Sequence, residues 1–388
     1  MMPPPIAAPL RRLLVPLPSG RMGGAEAHTL RLCDAAATLG VAVTVAAEPD
    51  LLDRLRGPGR EVLPARLAWR RGLVESARAA QAEAAATAMA AASPDAVLLP
   101  LPWPDHAAGV MEVLAATGLP ALVVAHLVPH DPPPGVDGVL QEIARGMRAA
   151  WTAVATPTAH RLAQQLGLPR GTVTVVPNGV DAPVRADPFS FHATLGLAPG
   201  ARVALFLGRL DRGKGADLLP DMAEAIARRM PGAVLACAGD GPLRASLESA
   251  APPGHPLRLL GHSSRPAALL RAADALLMPS RLEGAPLTFL EAALCDLPVI
   301  ATPQALEAEP EPGRLAWLAP AEDPVAFAEA LEALLANPAE TARRAAAARR
   351  LAAAHDGAAM AAHHLALLRA LVAMAPDRPA WHAPGRVG

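Results

Sequence analysis

Charged side chains between glycines mark one short stretch in the second half of the chain. The stretch GRLDRGKG, residues 208–215, contains Lys214, the only lysine among the 35 lysines and arginines of this 388-residue chain. A lysine offers a compact ammonium group on a flexible stem, whereas an arginine offers a broad planar fork. A loop that already used one arginine to hold a diphosphate would have more room for a second cation of the first kind than of the second. We therefore favour a phosphate-binding role for Lys214 over a chance position.

Glycine-rich loops follow a predicted strand and precede a predicted helix at two places, residues 20–26 and 208–215. In such a loop, free backbone N–H groups and the positive end of the helix dipole point at the same spot, which suits a phosphate. The alternative is that these glycines serve only a tight turn. Neither loop matches G-x-G-x-x-G or the P-loop pattern, so a nicotinamide or ATPase fingerprint is absent.

Two glutamates lie in the segment PSRLEGAPLTFLEAAL, residues 279–294. Glu283 falls in a predicted loop, and Pro286 suits the first turn of a helix, which places Glu291 about a turn and a half inside that helix. Carboxylates at this spacing suit two separated sets of hydroxyl groups on one ligand. The alternative for Glu291 is ordinary helix charge, which we favour less because the surrounding helix is apolar.

The elements that must position these residues are short apolar runs alternating with helical stretches, a pattern typical of βαβ units and parallel sheets. In the first half, strands are predicted at residues 13–18, 41–47, 96–102, 121–127, 153–157 and 173–181. In the second half, they are predicted at residues 202–210, 233–241, 257–262, 275–280 and 298–302. Gly40 is predicted to end the first helix.

This rhythm predicts an α/β protein with two doubly wound, Rossmann-like domains that face each other across a cleft. The proline-rich residues 182–201 are a candidate linker. We predict an N-terminal domain at 1–185, a C-terminal domain at 186–372 and a tail at 373–388.

Composition excludes several classes of protein. No run of about 18 to 20 uncharged apolar residues is present, so a transmembrane helix is not expected. The first arginines follow the first apolar run, whereas a signal peptide has its basic residues before its apolar region, so a signal peptide is not expected. Cys33, Cys237 and Cys295 are scattered, which suits a reducing cytoplasm. A net charge of −1 gives no reason to expect a nucleic acid partner.

Residues 50–78 are rich in arginine, with seven arginines, four acids and Trp69 beside Arg70 and Arg71. Such a stretch could touch an anionic membrane surface, which would place the protein peripherally at the inner face of the membrane. The alternative, which we favour, is a solvated face of the first domain.

Most of the chain resembles the family-4 glycosyltransferases, retaining enzymes of GT-B fold that use nucleotide-diphosphate sugars. The motifs that carry the resemblance occur in order: GGAEAH, a histidine ending the fourth predicted strand, VVPNGVD, FLGRLDRGKG, AGDGPLRASLE, ADALLMPSRLEGAPLTFLEAAL and PVIAT. By resemblance, the catalytic residues are His126, Arg209, Lys214 and Glu283. The implied donor-binding residues are Gly23, Gly24, Asn178, Gly208, Gly241, Gly261, His262, Gly284, Ala285, Pro286, Leu287 and Glu291.

The resemblance also implies individual roles. Arg209 and Lys214 neutralise the diphosphate, Glu283 holds the hydroxyl groups of the donor sugar, and Glu291 binds the ribose. His126 lies near the sugar and the acceptor. The amides of the Gly23–Gly24 loop face the donor phosphate, the base packs at Gly261 and His262, and Asn178 belongs to the Asn-Gly pair before the linker.

The implied function is transfer of a sugar from a nucleotide diphosphate to a hydroxyl of a glycan, lipid-linked or small-molecule acceptor, with the leaving phosphate taking the proton. No D-x-D motif is present, so neither metal nor cofactor is expected. We expect a monomer or weak dimer whose partners are the donor and an unknown acceptor. The alternatives are a catalytically weak nucleotide-sugar-binding partner subunit, or a GT-B epimerase or phosphorylase.

Three departures from the family pattern bear on activity. Asp296 stands where the family typically has glycine, residues 301–314 lack the usual Gly-Gly followed by glutamate, and E-G-A-P replaces the commoner E-G-F-G. Two further histidines, His363 and His364, lie in an alanine-rich stretch and are expected on the surface of a helix.

Overall fold

The computed structural model describes three stretches of the chain, residues 10–68, 74–182 and 189–374. These residues form two compact units. The first unit combines the chain up to Asn178 with the chain from Gly357 onward, and the second unit is Gly179–Asp356. Each unit is an α/β domain of its own.

The first unit is built on a parallel sheet of seven strands. The strands are β1 (Arg12–Pro16), β2 (Ala42–Ala47), β3 (Arg60–Pro64), β4 (Ala96–Leu101), β5 (Ala121–Ala125), β6 (Ala149–Ala153) and β7 (Val173–Val175). The helices are α1 (Gly24–Thr38), α2 (Leu52–Leu55), α3 (Val74–Ala92), α4 (Ala108–Thr117), α5 (Gly138–Gly146), α6 (Thr156–Gln165) and, from the end of the chain, α14 (Gly357–Ala373); a 3-10 turn covers Pro49–Leu51. The strand order is β3-β2-β1-β4-β5-β6-β7.

Both faces of this sheet are buried, which explains why its central strands are apolar runs without alternation. Successive strand residues point to opposite faces. In β4, Val97 and Leu99 therefore join one hydrophobic layer, whereas Leu98 joins the other. Two hydrophobic layers around one sheet are the mark of a doubly wound domain.

The second unit repeats the plan with six parallel strands. The strands are β8 (Val203–Leu207), β9 (Val234–Ala238), β10 (Leu257–Gly261), β11 (Ala275–Met278), β12 (Val299–Ala301) and β13 (Trp317–Leu318). The helices are α7 (Phe191–Leu195), α8 (Leu219–Arg229), α9 (Arg244–Ala250), α10 (Pro266–Ala272), α11 (Leu287–Leu294), α12 (Pro324–Ala336) and α13 (Pro338–Ala354), with 3-10 turns at Ala216–Leu218, Pro303–Leu306 and Pro312–Arg314. The order is β10-β9-β8-β11-β12-β13.

Strand order reverses at one point in each sheet, between β1 and β4 in the first unit and between β8 and β11 in the second. The loops that leave the carboxyl ends of two such strands run in opposite directions, and the space between them is where open α/β sheets bind ligands. The two predicted glycine loops follow β1 and β8. The prediction of two doubly wound α/β domains is confirmed.

Some elements differ from the sequence prediction. Strand β3 was not predicted, because it is a charged edge strand with a half-buried pattern. The two-residue strand β13 was also missed. His126 follows the fifth strand instead of ending the fourth, and the candidate linker contains α7, whose Phe191 is 1% exposed in the core of the second unit.

The last helix also lies in a different place from the one predicted. The sequence assigned residues up to 372 to the C-terminal domain, whereas α14 packs on the sheet of the first unit. Its side chains Leu365 and Leu368 belong to the same hydrophobic layer as Leu13 of β1. The apolar spacing within α14 shows that one face is covered, but not by which sheet.

Candidate active site

An ion pair joins the two strands at the switch point of the second unit. Lys214 lies in the loop after β8, Glu283 in the loop after β11, and the lysine Nζ donates to Glu283 Oε1 at 2.5 Å. The side chain of Glu283 is 8% exposed and that of Lys214 is 28% exposed. Ser280 Oγ donates to the same Oε1 at 2.8 Å. The carboxylate is thus held by two donors at the carboxyl edge of the sheet.

The glycine that follows Lys214 is required by the close approach of these two loops. Gly215 has φ +70°, and a Cβ atom there would lie 2.1 Å from the carbonyl oxygen of Pro279. Only glycine meets both conditions without moving a backbone. The glycine beside the lone lysine therefore brings the lysine loop against the glutamate loop.

Arg209 and Lys214 share one carboxylate. Arg209 Nε donates to Asp211 Oδ2 at 2.5 Å, and the backbone N–H of Lys214 donates to Asp211 Oδ1 at 2.9 Å. The Arg209 side chain is 46% exposed and that of Asp211 is 21% exposed. Asp211 therefore fixes the Arg209 side chain and the backbone of Lys214 within one loop.

Arg281, which sequence reasoning missed, ties the same loops together. Its backbone N–H donates to Gly213 O at 2.8 Å, and its guanidinium grips Asp217 through bonds of 2.6 and 3.0 Å. It also donates to Glu322 Oε2 at 2.6 Å. Burial alone would raise the pKa of Asp217, but hydrogen bonds and charge from Arg281 outweigh it and lower that pKa. The only sequence signal for a role of Arg281 was its position in PSRLEG, two residues before Glu283.

Glycines also allow the loops after β8, β9 and β10 to approach one another. A Cβ atom on Gly241 would lie 2.5 Å from Leu210 O. Gly208 N–H donates to Ala238 O at 3.1 Å. Gly261, with φ +72°, ends β10, and the His262 side chain that follows is exposed. Five predicted residues, Gly208, Arg209, Lys214, Gly241 and Gly261, thus belong to loops along one edge of the second sheet.

The helix after Glu283 begins one residue later than predicted. Pro286 is the residue before the helix, with an extended ψ of 118°, and α11 starts at Leu287. Gly284 is buried, whereas Ala285 and Leu287 are partly exposed. Glu291, also partly exposed, lies just over one turn into α11.

Asp296, the first departure from the family pattern, ends this helix in a left-handed conformation with φ +57°. The N–H groups of Asp296 and Leu297 donate to the carbonyls of Ala293 and Ala292 at 3.1 and 3.0 Å. Glycine is the usual residue at such a helix end, which explains the family's preference there. In this chain an ion pair with Arg349 accompanies the aspartate.

In the first unit, the glycine loop after β1 leads directly into α1. Gly23 precedes the helix in an extended conformation, and the helix starts at Gly24. Glu26 in the first turn is 5% exposed and accepts a hydrogen bond from Ser19 Oγ. A Cβ on Gly23 would lie 3.1 Å from Glu26 Oε2. The predicted phosphate loop therefore already holds one carboxylate, which the helix dipole stabilises.

His126 belongs to a cluster of three histidines. Its ring meets that of His28 edge-on at a centroid distance of 4.8 Å, and His28 meets His364 at 5.3 Å. His28 Nδ1 donates to Asn178 Oδ1 at 2.8 Å, and His364 Nδ1 donates to the Met360 carbonyl at 3.0 Å. The expectation that His364 lies on the surface was wrong, because α14 turns this face toward the sheet and the residue is 0% exposed.

Burial keeps this cluster uncharged. Burial, followed by the neighbouring His364, lowers the pKa of His126 to about 3. Burial also lowers the pKa of His364 to about 4 and that of His28 well below its ordinary value. Within the described residues, the Nε2 atom of each ring is buried and lacks a hydrogen-bond partner. A neutral imidazole can donate a hydrogen bond to a hydroxyl group or accept one from it. It lacks the second ring proton that an imidazolium ion would give up as a general acid.

Part of the arginine-rich stretch 50–78 lies outside the described residues, namely 69–73 with Trp69, Arg70 and Arg71. In the part that is described, the Arg60 side chain is 8% exposed and lies 3.2 Å from Asp34. Among the described helices, none has the length and apolar character needed to cross a membrane. Likewise, no group of three or more histidine, cysteine or acidic side chains in the described stretches could hold a metal ion.

Two Rossmann-like units with these strand orders define the GT-B class of fold. HepE of Anabaena, solved with UDP and glucose, superimposes with a TM-score of 0.70 over 93% of this chain and 100% of HepE, at 19% identity. Sucrose-phosphate synthase of Thermosynechococcus elongatus gives 0.73 over 94% of this chain and 100% of that enzyme, at 20% identity. At such identities the likeness shows the fold alone.

The family follows from the sequence comparisons. The model described as Glycosyltransferase Family 4 matches residues 22–183, and that described as Glycosyl transferases group 1 matches residues 201–337. The chain belongs to the family-4 glycosyltransferases. It is 33% identical over 197 residues to D-inositol 3-phosphate glycosyltransferase of Jonesia denitrificans (46% of each chain), and 32% identical over 194 residues to that of Nocardia farcinica (46% of this chain, 43% of that one). The match spans less than half the length of these curated relatives.

Proposed function

We propose that this chain is a retaining glycosyltransferase that moves a sugar from a nucleotide diphosphate to an acceptor hydroxyl without a metal ion. The observation that carries the proposal is the pair formed by Lys214 and Glu283, with Nζ and Oε1 2.5 Å apart. The pair joins β8 and β11 at the point where strand order reverses, where a ligand of an α/β sheet binds. A cation for the diphosphate and a carboxylate for sugar hydroxyls then stand side by side.

The cations supply the main catalytic effect in this proposal. Breaking the glycosidic bond places developing negative charge on the leaving diphosphate. Arg209 and Lys214, fixed before the reaction, stabilise that charge more in the transition state than in the ground state. Two fixed cations thereby take the place of a divalent ion.

The carboxylates orient the donor. Glu283 already accepts from Lys214 and Ser280, and an ionised carboxylate has about four lone-pair sites in all. It therefore keeps acceptor capacity for the hydroxyl groups of the sugar. We assign the ribose to Glu291 and the base to Gly261 and His262.

The first unit contributes the acceptor side of the proposal. His126, neutral because of its burial, exchanges a hydrogen bond with a hydroxyl group of the sugar or the acceptor. The leaving phosphate takes the proton of the acceptor, which gives attack on the face of the departing group and hence retention. The amides of Gly23 and Gly24 face the phosphate, and Asn178 supports this side through His28.

The donor and acceptor to test first come from the related proteins. HepE was solved with UDP and with UDP-glucose, and the curated relatives are named for D-inositol 3-phosphate. We propose a UDP-sugar as the donor. D-inositol 3-phosphate is the first small-molecule acceptor to try.

Thermal shifts with UDP, GDP, ADP and their sugar conjugates test the proposal. A bound ligand raises the melting temperature by mass action, by RT ln(1 + [L]/Kd) in free energy. We expect a shift with one nucleotide in the wild type that Lys214→Ala loses. The matched control is Arg212→Ala, which removes one cation from the same loop. The Arg212 side chain is 77% exposed, and this variant should keep the shift. A folded wild type that shifts with none of these ligands would overturn the diphosphate site.

Product analysis separates the alternatives. A transferase releases nucleoside diphosphate together with a glycosylated acceptor, whereas a partner subunit binds the donor without turnover. An epimerase releases nucleotide without an acceptor, and a phosphorylase uses inorganic phosphate. Retention is read from the anomeric configuration of the product.

A further inference from the structure

We infer that Asp211 is a positioning residue of the donor site, which holds Arg209 and the backbone of Lys214 in the arrangement that receives a diphosphate. The inference rests on the proposed function, because that function gives the two cations their ligand. Asp211 is not among the residues to which the family resemblance gave a role. It lies between the two cations in the chain, and each of its oxygens contacts one of them.

The first oxygen orients Arg209. Asp211 Oδ2 accepts from Arg209 Nε at 2.5 Å, and this bond uses one of the five N–H donors of the guanidinium. Within the described residues, the four donors on the two terminal nitrogens stay available for phosphate oxygens. At 46% exposure, an arginine without this partner would sample many rotamers, and a ligand would have to restrict them on binding.

The second oxygen closes the loop that carries Lys214. Asp211 Oδ1 accepts from the Lys214 backbone N–H at 2.9 Å. From the other side, Gly213 O accepts from the Arg281 N–H at 2.8 Å. The backbone before Lys214 is thus held at two points, and from it Nζ reaches Glu283.

A carboxylate beside a phosphate site has an electrostatic cost. The direction in which diphosphate affinity changes when that carboxylate is removed therefore tests the inference. A negative charge at Asp211 repels a diphosphate, so a purely electrostatic role predicts tighter binding once that charge is removed. A positioning role predicts weaker binding, because both cations lose the group that orients them.

The decisive variant is Asp211→Asn. An amide retains an oxygen that accepts from the Lys214 N–H, but its NH₂ group would face the Arg209 Nε–H, donor against donor. The probe is UDP, with GDP and ADP as further arms, and titration calorimetry gives the dissociation constant of the full chain. We expect Asp211→Asn to weaken binding of the diphosphate that the wild type prefers by about 5- to 20-fold, and Asp211→Ala by more.

The matched control is Asp240→Asn, which removes one carboxylate from the neighbouring loop after β9. The Oδ1 atom of Asp240 accepts from the backbone N–H of Gly241 at 2.8 Å, and an amide can keep that bond. We expect this control to change the affinity less than about twofold. Circular dichroism and the melting temperature establish that each variant is folded.

Two readouts separate positioning from a general structural defect. In an Arg209→Ala background, Asp211→Asn should weaken binding much less than in the wild type, because the two substitutions act on one interaction. In turnover of the sugar nucleotide, kcat should fall at least as much as KM rises, because the charge on the diphosphate grows in the transition state.

The outcomes separate this inference from the proposed function. Unchanged or tighter diphosphate binding by a folded Asp211→Asn, or full additivity with Arg209→Ala, overturns the inference while the proposed function stands. A wild type that binds none of the three diphosphates overturns both. Weaker binding by Asp211→Asn, with little further loss in the double variant, supports the inference.

Discussion

At the scale of single residues, left-handed backbone positions show what each side chain contributes. Asp296 adopts φ +57° at the end of α11, a region that costs an ordinary L-residue roughly 1–2 kcal/mol. Aspartate tolerates this region better than most residues, because its short polar side chain can bond locally. Here its carboxylate is also paired with Arg349. The departure from the family's glycine is therefore a change in how the helix ends, and it leaves the Lys214–Glu283 pair intact.

The left-handed backbone at position 296 predicts an order of stability among variants of Asp296. Asp296→Ala loses the ion pair and keeps the strained backbone, whereas Asp296→Gly loses the pair but relieves the strain. We expect the glycine variant to be more stable than the alanine variant by about 1 kcal/mol in urea unfolding. Arg349→Ala, which removes the pair alone, is the control. Equal stability of the glycine and alanine variants would contradict a strained position 296.

At the scale of elements, two strands and the loops after them hold the candidate donor site together. The loop after β8 and the loop after β11 meet where Gly215 lies against Pro279. Arg281 adds bonds to Gly213 and Asp217. Backbone packing and backbone hydrogen bonds thus hold these two loops together, in addition to the contact between their charged side chains.

Gly215→Ala tests this packing. Its Cβ would lie 2.1 Å from the Pro279 carbonyl oxygen at φ +70°, so one of the two loops must move. We expect a loss of about 2 kcal/mol or more in the free energy of unfolding, together with weaker diphosphate binding. Gly232→Ala is the control, since its φ is +87° and nothing lies within 4 Å of the added Cβ. That control should cost only about 1 kcal/mol and leave binding unchanged. A Gly215→Ala chain that matched the control in both measurements would argue against the close approach.

At the scale of the whole molecule, the last helix, α14, completes the hydrophobic core of the first unit. Helix α14 carries His364 to His28 of α1, which meets His126 after β5. The three rings come from residues spread over almost the whole sequence. Their burial favours the neutral form, so the stability of the first unit is linked to pH.

The direction of this linkage follows from the lowered pKa values. An unfolded histidine binds a proton near pH 6.5, whereas the pKa of His364 in the folded chain is about 4. Between these values the unfolded state binds more protons than the folded state. The contribution of the neutral histidine to the free energy of unfolding is therefore fully present above pH 6.5 and is lost as pH falls toward 4. Each such histidine contributes a slope of up to about 1.4 kcal/mol per pH unit.

His364→Leu should therefore flatten the dependence of stability on pH. Urea unfolding at pH 5 and pH 7 measures the difference in free energy of unfolding. We expect that difference to be smaller in His364→Leu than in the wild type by roughly 1 kcal/mol or more. Circular dichroism at pH 7 establishes that His364→Leu is folded. An unchanged difference in His364→Leu would show that this residue is not buried in its neutral form.

Much of the fold was predictable because the signals are local. Apolar runs such as that of β4 lie between helices, and this alternation alone predicts parallel, doubly wound sheets. Gly40 was predicted to end α1, and it follows the helix with φ +78°. Strand β3 escaped because its short, partly charged and half-buried sequence resembles a loop as much as an edge strand.

The sequence by itself determined the chemistry of the candidate site, since a lone lysine between glycines and two spaced glutamates are visible in the order of residues. Only the tertiary structure decided which groups meet. Lys214 and Glu283 are 69 residues apart, His364 reaches His28 from the end of the chain, and α14 completes the first unit. The physical reason is that periodicity reports that a face is buried, whereas its partner depends on packing among all elements at once.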